Sequence, residues 1–444
     1  MLATLKISRL SLQRESVVFW SLSTLFGTLI LLKHLDHSAF YIDDWTIFGS
    51  RLGHLENLGF DDFVLRRHNE HLMGGMVLWD VGLAKAFGLR NYIPWIITIQ
   101  IANSLVSWVL YRYMVRIGIT ALVSAIIAPF FMIWAPINPI AYWAPEAIFT
   151  ISLACVMVHF GCLVLATSSR KAVVFGTVVA LLGIFIHSIC VVLIPISVFV
   201  LFIQRKWRSS LIASIPLVMY GFWYLTYQKL PQANRWSLLS SEELTQVRNV
   251  NLFFESTWKI LSRTMWLNSS PLIAFAFFAL VVIGLYICIG RGGDQRLIAI
   301  SAVVASCILL MGIAWSRAYF MKLMQQEPAS RYAAVIFVLL FPIALLPIVI
   351  IGRKTRTLLH LPKKLLLVST IMCIFVATLL NFSLSQQFDT EFTQSAESFM
   401  RQIQQAADDS KLGLHHPDEF VFGDNPWIDI THGDIARLLR LGWL

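Results

Sequence analysis

Residues 172–203 form the longest apolar run in the chain, thirty-two positions without an Asp, Glu, Lys or Arg. One helix of that length would rise about 1.5 Å per residue, roughly 48 Å in all, against a bilayer hydrocarbon core of about 30 Å. Tilt does not absorb such an excess. The run therefore predicts two short spans meeting around His187-Ser188. Nine more apolar runs of near span length lie at 17–32, 93–111, 119–134, 147–166, 211–227, 272–289, 297–315, 333–351 and 365–380. Together they predict an all-α polytopic membrane protein with about eleven transmembrane helices.

Composition agrees. Charged residues make up 14% of the 444 positions, where a soluble domain carries about a quarter. The 15 Trp, 11 Tyr and 31 Phe suit aromatic belts at membrane interfaces. The opening MLATLKISRLSLQRE reads as the basic flank of an uncleaved first helix, because no small-residue cleavage site follows it. The six Cys, at 155, 162, 190, 288, 307 and 373, all fall in apolar runs without zinc spacing, and are expected as small core residues without disulfides.

The net charge of +10 invites a nucleic-acid reading, which fails once the charges are placed on a topology. With a cytoplasmic N-terminus, seventeen of the thirty-five basic residues fall in short inner loops, such as Arg112 and Arg116, Arg205, Lys206 and Arg208, and Arg353, Lys354 and Arg356. Only Glu15 and Asp294 of the twenty-five acidic residues share that side. This is the positive-inside pattern, and it predicts an inner-membrane protein with a cytoplasmic N-terminus. It requires the split of 172–203, since one span there would scramble the segregation. Four segments then face outward: 33–92, 228–270, 316–332 and 381–444. The expected organisation is a membrane domain over 1–380, with a loop of functional interest at 33–92, followed by a small periplasmic segment over 381–444.

The loop 33–92 is too long for a connector. The apolar spacing of Leu52, Leu55 and Leu58, and of Leu72, Met76, Trp79 and Leu83, predicts one or two amphipathic helices along the membrane surface. Asp43 and Asp44, flanked by Tyr41 and Trp45, form an acidic pair about ten residues beyond the first span. One of the pair is suited to act as a general base, with partial desolvation raising its basicity. An Asp pair before Trp-Thr-Ile-Phe equally caps a helix. Arg66, Arg67, His68, Asn69, Glu70 and His71 form a dense polar cluster, and on a helix Arg67 and His71 would share a face. With His34, Asp36 and His37 nearby, the ligand types allow a divalent metal ion, though the spacing matches no tight metal motif and a solvated face explains the cluster as well.

Three outward residues join these. Glu146 follows Pro145 at the start of a span, where a carboxylate complements the helix dipole and would also face any outer cavity. Arg331-Tyr332 stands at the mouth of a late span, with Arg317 and Lys322 in the same locally basic loop. A guanidinium there grips a phosphate bidentately, while an interfacial Arg that snorkels beside a belt Tyr gives the same pattern. His159 and His187 lie in or near spans and are read as hydrogen-bonded packing residues. The C-terminal part divides into an amphipathic helix around 386–410 and a compact cap around 415–444, read as a lid or acceptor-facing module.

Three patterns, YIDDW, RRHNEHL and ASRYAA, on this span pattern resemble the GT-C class of membrane glycosyltransferases that use polyprenyl-phosphate-linked sugars. Members of about this size resemble the serotype-converting glucosyltransferases that decorate O-antigen. The resemblance implies inverting transfer of a sugar from an undecaprenyl-phosphate donor to a cell-envelope glycan or lipid-linked acceptor on the periplasmic face. It implies Asp43, and after it Asp44, as the base that activates the acceptor hydroxyl, and Arg331 as the group on the lipid phosphate. Tyr332, His68, Glu70, His71, Glu146 and Arg317 complete the expected substrate-binding set; a divalent metal ion stays open. A transporter or flippase of lipid-linked saccharides, or a polymerase, is the alternative. Such transporters place charged or polar groups at the midplane, and the apolar runs here carry almost no charge.

Overall fold

A computed structural model of the chain describes residues 9–35, 40, 42–68, 71–134, 143–165, 170–227, 250–265, 270–323, 330–358, 376, 394–422 and 430–444. Among the described residues the protein is nearly all helical and holds no strand beyond two isolated bridges. Seventeen α-helices follow one another: α1 (Arg9–Lys33), α2 (Ile42–Thr46), α3 (Leu52–Asn57), α4 (Phe60–Leu65), α5 (Gly74–Phe87), α6 (Ile93–Arg116), α7 (Ala121–Ile127), α8 (Ala144–Phe160), α9 (Arg170–Ile186), α10 (Leu193–Ile203), α11 (Trp207–Tyr227), α12 (Val250–Arg263), α13 (Pro271–Arg291), α14 (Gly293–Leu323), α15 (Ser330–Leu358), α16 (394–412) and α17 (His432–Arg440).

Seven of them are long and apolar enough to cross a bilayer: α1, α6, α8, α11, α13, α14 and α15. The chain is thus a helical, multi-pass membrane protein. Three apolar stretches are shorter: Ala121–Ile133, Lys171–Ile186 and Leu193–Ile203. The last two come from the long run 172–203, which breaks at His187 and passes through a 3-10 turn, Ser188–Val192. Of the expected span at 365–380, all but residue 376 lies outside the described residues. Several elements run past their expected ends. α14 continues to Leu323, so Arg317 and Lys322 belong to a helix and the connection before α15 narrows to 324–329. No Gly or Pro interrupts 313–327, and the helix simply continues. The region 228–270 likewise contains a helix, α12.

The chain forms two compact units. The first comprises Met1–Ile30, Gln100–Ala141 and Val247–Gln386. Here α13 packs on α12, α14 and α15, with Gly284 letting the α13 backbone approach Ile343 of α15. Tyr113 donates to the Leu339 carbonyl at 2.8 Å. At one end of this unit the turns that follow α6 and α13 meet: Arg116 lies 3.6 Å from Asp294, and Arg291 reaches the Ile117 carbonyl. Trp134 donates to the Thr264 carbonyl at 2.9 Å and packs on Phe337.

The second unit comprises Leu31–Ile99, Tyr142–Gln246 and Gln387–Leu444. α8 packs along α9, and α11 along both α9 and α10. The first loop is built into this unit as several helical pieces, with α3 and the fourteen-residue α5 on the two stretches where helices were expected. α2 continues into a π-helical turn, Ile47–Arg51, and then into α3. Phe40, Trp45, Phe48, Tyr92 and Trp95 interlock edge-to-face, with Trp45 fully buried. Trp45 therefore anchors the acidic pair by packing inside the protein. The C-terminal segment closes on the same unit. α17 opens with a capping box between Thr431 and Asp434, and its Arg437 bridges Asp434 at 2.6 Å and Glu56 of the α3 helix at 2.9 Å. Trp443 and Leu444 offer their carbonyls to Leu89 N–H at 2.7 Å and Arg90 at 3.0 Å.

Candidate functional site

The second unit gathers ionisable side chains around the start of α8. Its N-cap is Trp143, with Pro145 inside the first turn and Glu146 following, 3% exposed. Pro lacks the N–H that would go unsatisfied there, and the carboxylate faces the positive end of the helix dipole. The Trp143 indole N–H donates to Asp44 Oδ2 at 3.3 Å. Asp44 is fully buried in the first turn of α2. That bond ties the acidic pair of the first loop to the helix that carries Glu146. Asp43 occupies the adjacent position in α2.

One turn along α8 from Glu146 is Phe149, whose ring lies 4.0 Å from that of His187. His187 in turn lies 4.4 Å from His71. His71 Nδ1 is 3.2 Å from Ser188 Oγ. Ile189 N–H donates to His187 Nδ1 at 3.1 Å, so that nitrogen is an acceptor and the ring proton of neutral His187 is assigned to Nε2. The helix break at His187 thus delivers an imidazole and a hydroxyl to the histidine of the first loop. Asp44, Glu146 and His187 are buried and His71 is half-buried, and α8 links the acidic pair to the two histidines through Trp143 and Phe149.

Local backbone chemistry explains how His71 arrives there. α4 ends at Arg66, whose extended backbone turns the chain out of the helix. His68 and His71 then exchange both backbone hydrogen bonds at 3.0 Å. This tight turn corrects the expectation of a shared helical face for Arg67 and His71. α5 opens at Gly74, where a Cβ would stand 2.5 Å from the Phe185 ring and 2.8 Å from the Val64 carbonyl. Only glycine lets α5 come this close to the end of α9. Trp223 of α11 fixes the other flank by donating to the Leu65 carbonyl at 2.7 Å.

The remaining expected residues fall elsewhere. His68 is buried beside the tight turn, and Glu70 lies outside the described residues. Arg331 and Tyr332 begin α15 in the first unit, with the guanidinium 5.3 Å from its neighbour's ring and Tyr332 buried. Arg317 is in α14 of that unit. Among the described residues no three His, Cys, Asp or Glu side chains form a metal-holding group, while Asp36, His37 and Glu70 lie outside those residues.

Two buried charges escaped the sequence reading. Asp80 of α5 is fully buried; Trp95 Nε1 donates to its Oδ1 at 2.8 Å, and burial pushes its carboxyl up to about 7 against the pull of that bond. The signal was present, since Asp80 sits four residues after Met76 on the apolar stripe itself. Arg51 is a lone charge within the apolar stretch that follows the acidic pair, and it too is fully buried. No protein-family model, curated protein or solved structure matches this chain.

Proposed function

We propose that the protein is a glycosyltransferase of a bacterial inner membrane, with about eleven spans and an active site on the periplasmic face. It moves a sugar from a polyprenyl-phosphate donor to an envelope glycan or lipid-linked acceptor. The observation that supports this reading is the buried Asp44, held by Trp143 at the start of α8 one turn before Glu146, beside an Asp43 that shares the α2 turn. Asp44 is committed to Trp143 and holds α2 in place, which leaves Asp43 as the base. In the reaction the acceptor hydroxyl oxygen attacks the anomeric carbon while its proton passes to the Asp43 carboxylate. The anomeric C–O bond to phosphate breaks, and its electron pair leaves on the polyprenyl phosphate. One displacement inverts the anomeric centre. Arg331 steadies the leaving phosphate by charge and paired N–H donors.

A transporter of lipid-linked saccharides is the second reading. One observation favours it: Gln100, Asn103 and Ser107 form a buried polar stripe on α6, a helix of membrane-crossing length. The purified protein, incubated in nanodiscs with labelled polyprenyl-phosphate hexoses and pentoses and with sugar nucleotides as controls, separates the two. Release of polyprenyl phosphate together with an inverted glycoside is the expected result. Movement of a lipid-linked saccharide across proteoliposomes without glycosidic bond formation would establish the transporter instead.

A further inference from the structure

The first loop contains a buried charge that the described residues only partly compensate. Arg51 closes the π-helical turn and has no exposed surface. Its Nε donates to the Phe63 carbonyl at 3.0 Å, while Nη1 and Nη2 find no hydrogen-bond partner among the described residues. Asp62 is the carboxylate that acts on it, yet that side chain is already gripped by Arg66 at 2.8 and 2.9 Å. Arg66 also acts on Arg51, from the repulsive side. Among the described side chains, two guanidinium groups therefore draw on this one carboxylate. Burial lowers Arg51 to about 9, so the group stays charged at neutral pH.

A buried, partly compensated guanidinium is costly, and a fold that retains one gains when a ligand supplies an anion. The backbone points the same way. π-helical turns are rare, occur as single turns and recur at functional sites. Two N–H groups on one edge of a guanidinium match two oxygens of a tetrahedral phosphate in spacing and charge.

We infer that Arg51 is the receptor for a phosphate-class oxyanion carried by a ligand of this protein, a site separate from Arg331. The inference needs no assumption about sugar transfer. The phosphate comes either from a lipid head group or from a soluble phosphate, and the two sources are tested apart. The full-length protein is placed in phosphatidylcholine nanodiscs, and its melting is followed by tryptophan fluorescence with undecaprenyl phosphate in the disc or with inorganic phosphate in the buffer. One of the two probes is expected to raise the wild-type melting temperature, at an apparent affinity that Arg51→Met weakens about tenfold or more. Without ligand, Arg51→Met is expected to melt at or above the wild-type temperature, because it removes the partly compensated charge. Arg51→Lys keeps the charge but not the fork, and is expected to fold while binding the probe several-fold more weakly. A wild type that responds to neither probe, or variants with an unchanged response, would overturn the site. A phosphate response that requires Arg51 stands even if no sugar is transferred. Full transfer by an Arg51→Lys protein that binds the probe normally removes the anion site and leaves the proposed reaction intact.

Discussion

Among the described residues the first unit buries one charged side chain, Arg263, and the second buries many more ionisable groups. In the first, long apolar helices enclose neutral side chains such as Ser23, Asn103, Ser107 and Ser124. In the second, short and interrupted helices enclose Asp44, Arg51, Asp80, Glu146 and His187, each at most 3% exposed. A neutral hydroxyl or amide within a helical bundle contributes packing and modest hydrogen bonds. An ionisable group in the same setting costs far more unless it is paired or used. The contrast makes the second unit the place to test the proposed chemistry.

Apart from Asp43→Asn, the contrast is broken most severely by Asp44→Ala. The substitution removes the acceptor for Trp143, loosens α2 against α8, and is expected to lower transfer about a hundredfold while the protein still inserts and folds. An Asp44→Ala enzyme that turns over normally would detach the acidic pair from the site. Next in size is Arg331→Ala in the first unit, expected to raise the apparent KM for the lipid donor about tenfold, with little change toward the acceptor. An unchanged donor KM would leave the first unit without a role in binding.

Asp80 sharpens the comparison through pH. An unfolded aspartyl carboxyl titrates near 3.9, and in the fold this one titrates near 7. The fold therefore favours the protonated form: its contribution is full below about pH 4 and is lost as the pH rises through about 7. Asp80→Asn keeps an oxygen for the Trp95 indole and removes the charge. It is expected to flatten the melting temperature across that window and to stabilise the protein at pH 8 by roughly 1–3 kcal/mol. A variant with the same pH profile as wild type would show that Asp80 is not the titrating group. Smallest of all is Arg437→Ala, which removes the bridge to Glu56 on α3. Glu56 is half-exposed, so a loss of less than about 1 kcal/mol is expected in urea unfolding.

How much of this was legible depends on what each signal measures. Hydropathy and length placed the break at His187-Ser188, because a helix longer than the bilayer must end somewhere and the polar residues mark where. A carboxylate in the first turn of α8 was legible from Pro145-Glu146, since proline and acid act locally at a helix start. The cluster itself was not. Asp44 meets Trp143 across ninety-nine positions and His71 meets Ser188 across one hundred and seventeen, and no period within one segment records such pairings. The turn at His68–His71 was missed because helical spacing was assumed where two-residue pairing prevails. Arg51 and Asp80 were visible as lone charges in apolar stretches, but only burial shows that they matter.

The most direct test of a chemistry-bearing second unit is a single-turnover transfer assay with Asp43→Asn. Folded Asp43→Asn protein that binds donor normally and transfers sugar about 10²–10⁴ times more slowly than wild type is the result this account predicts. Wild-type transfer by that variant would contradict it.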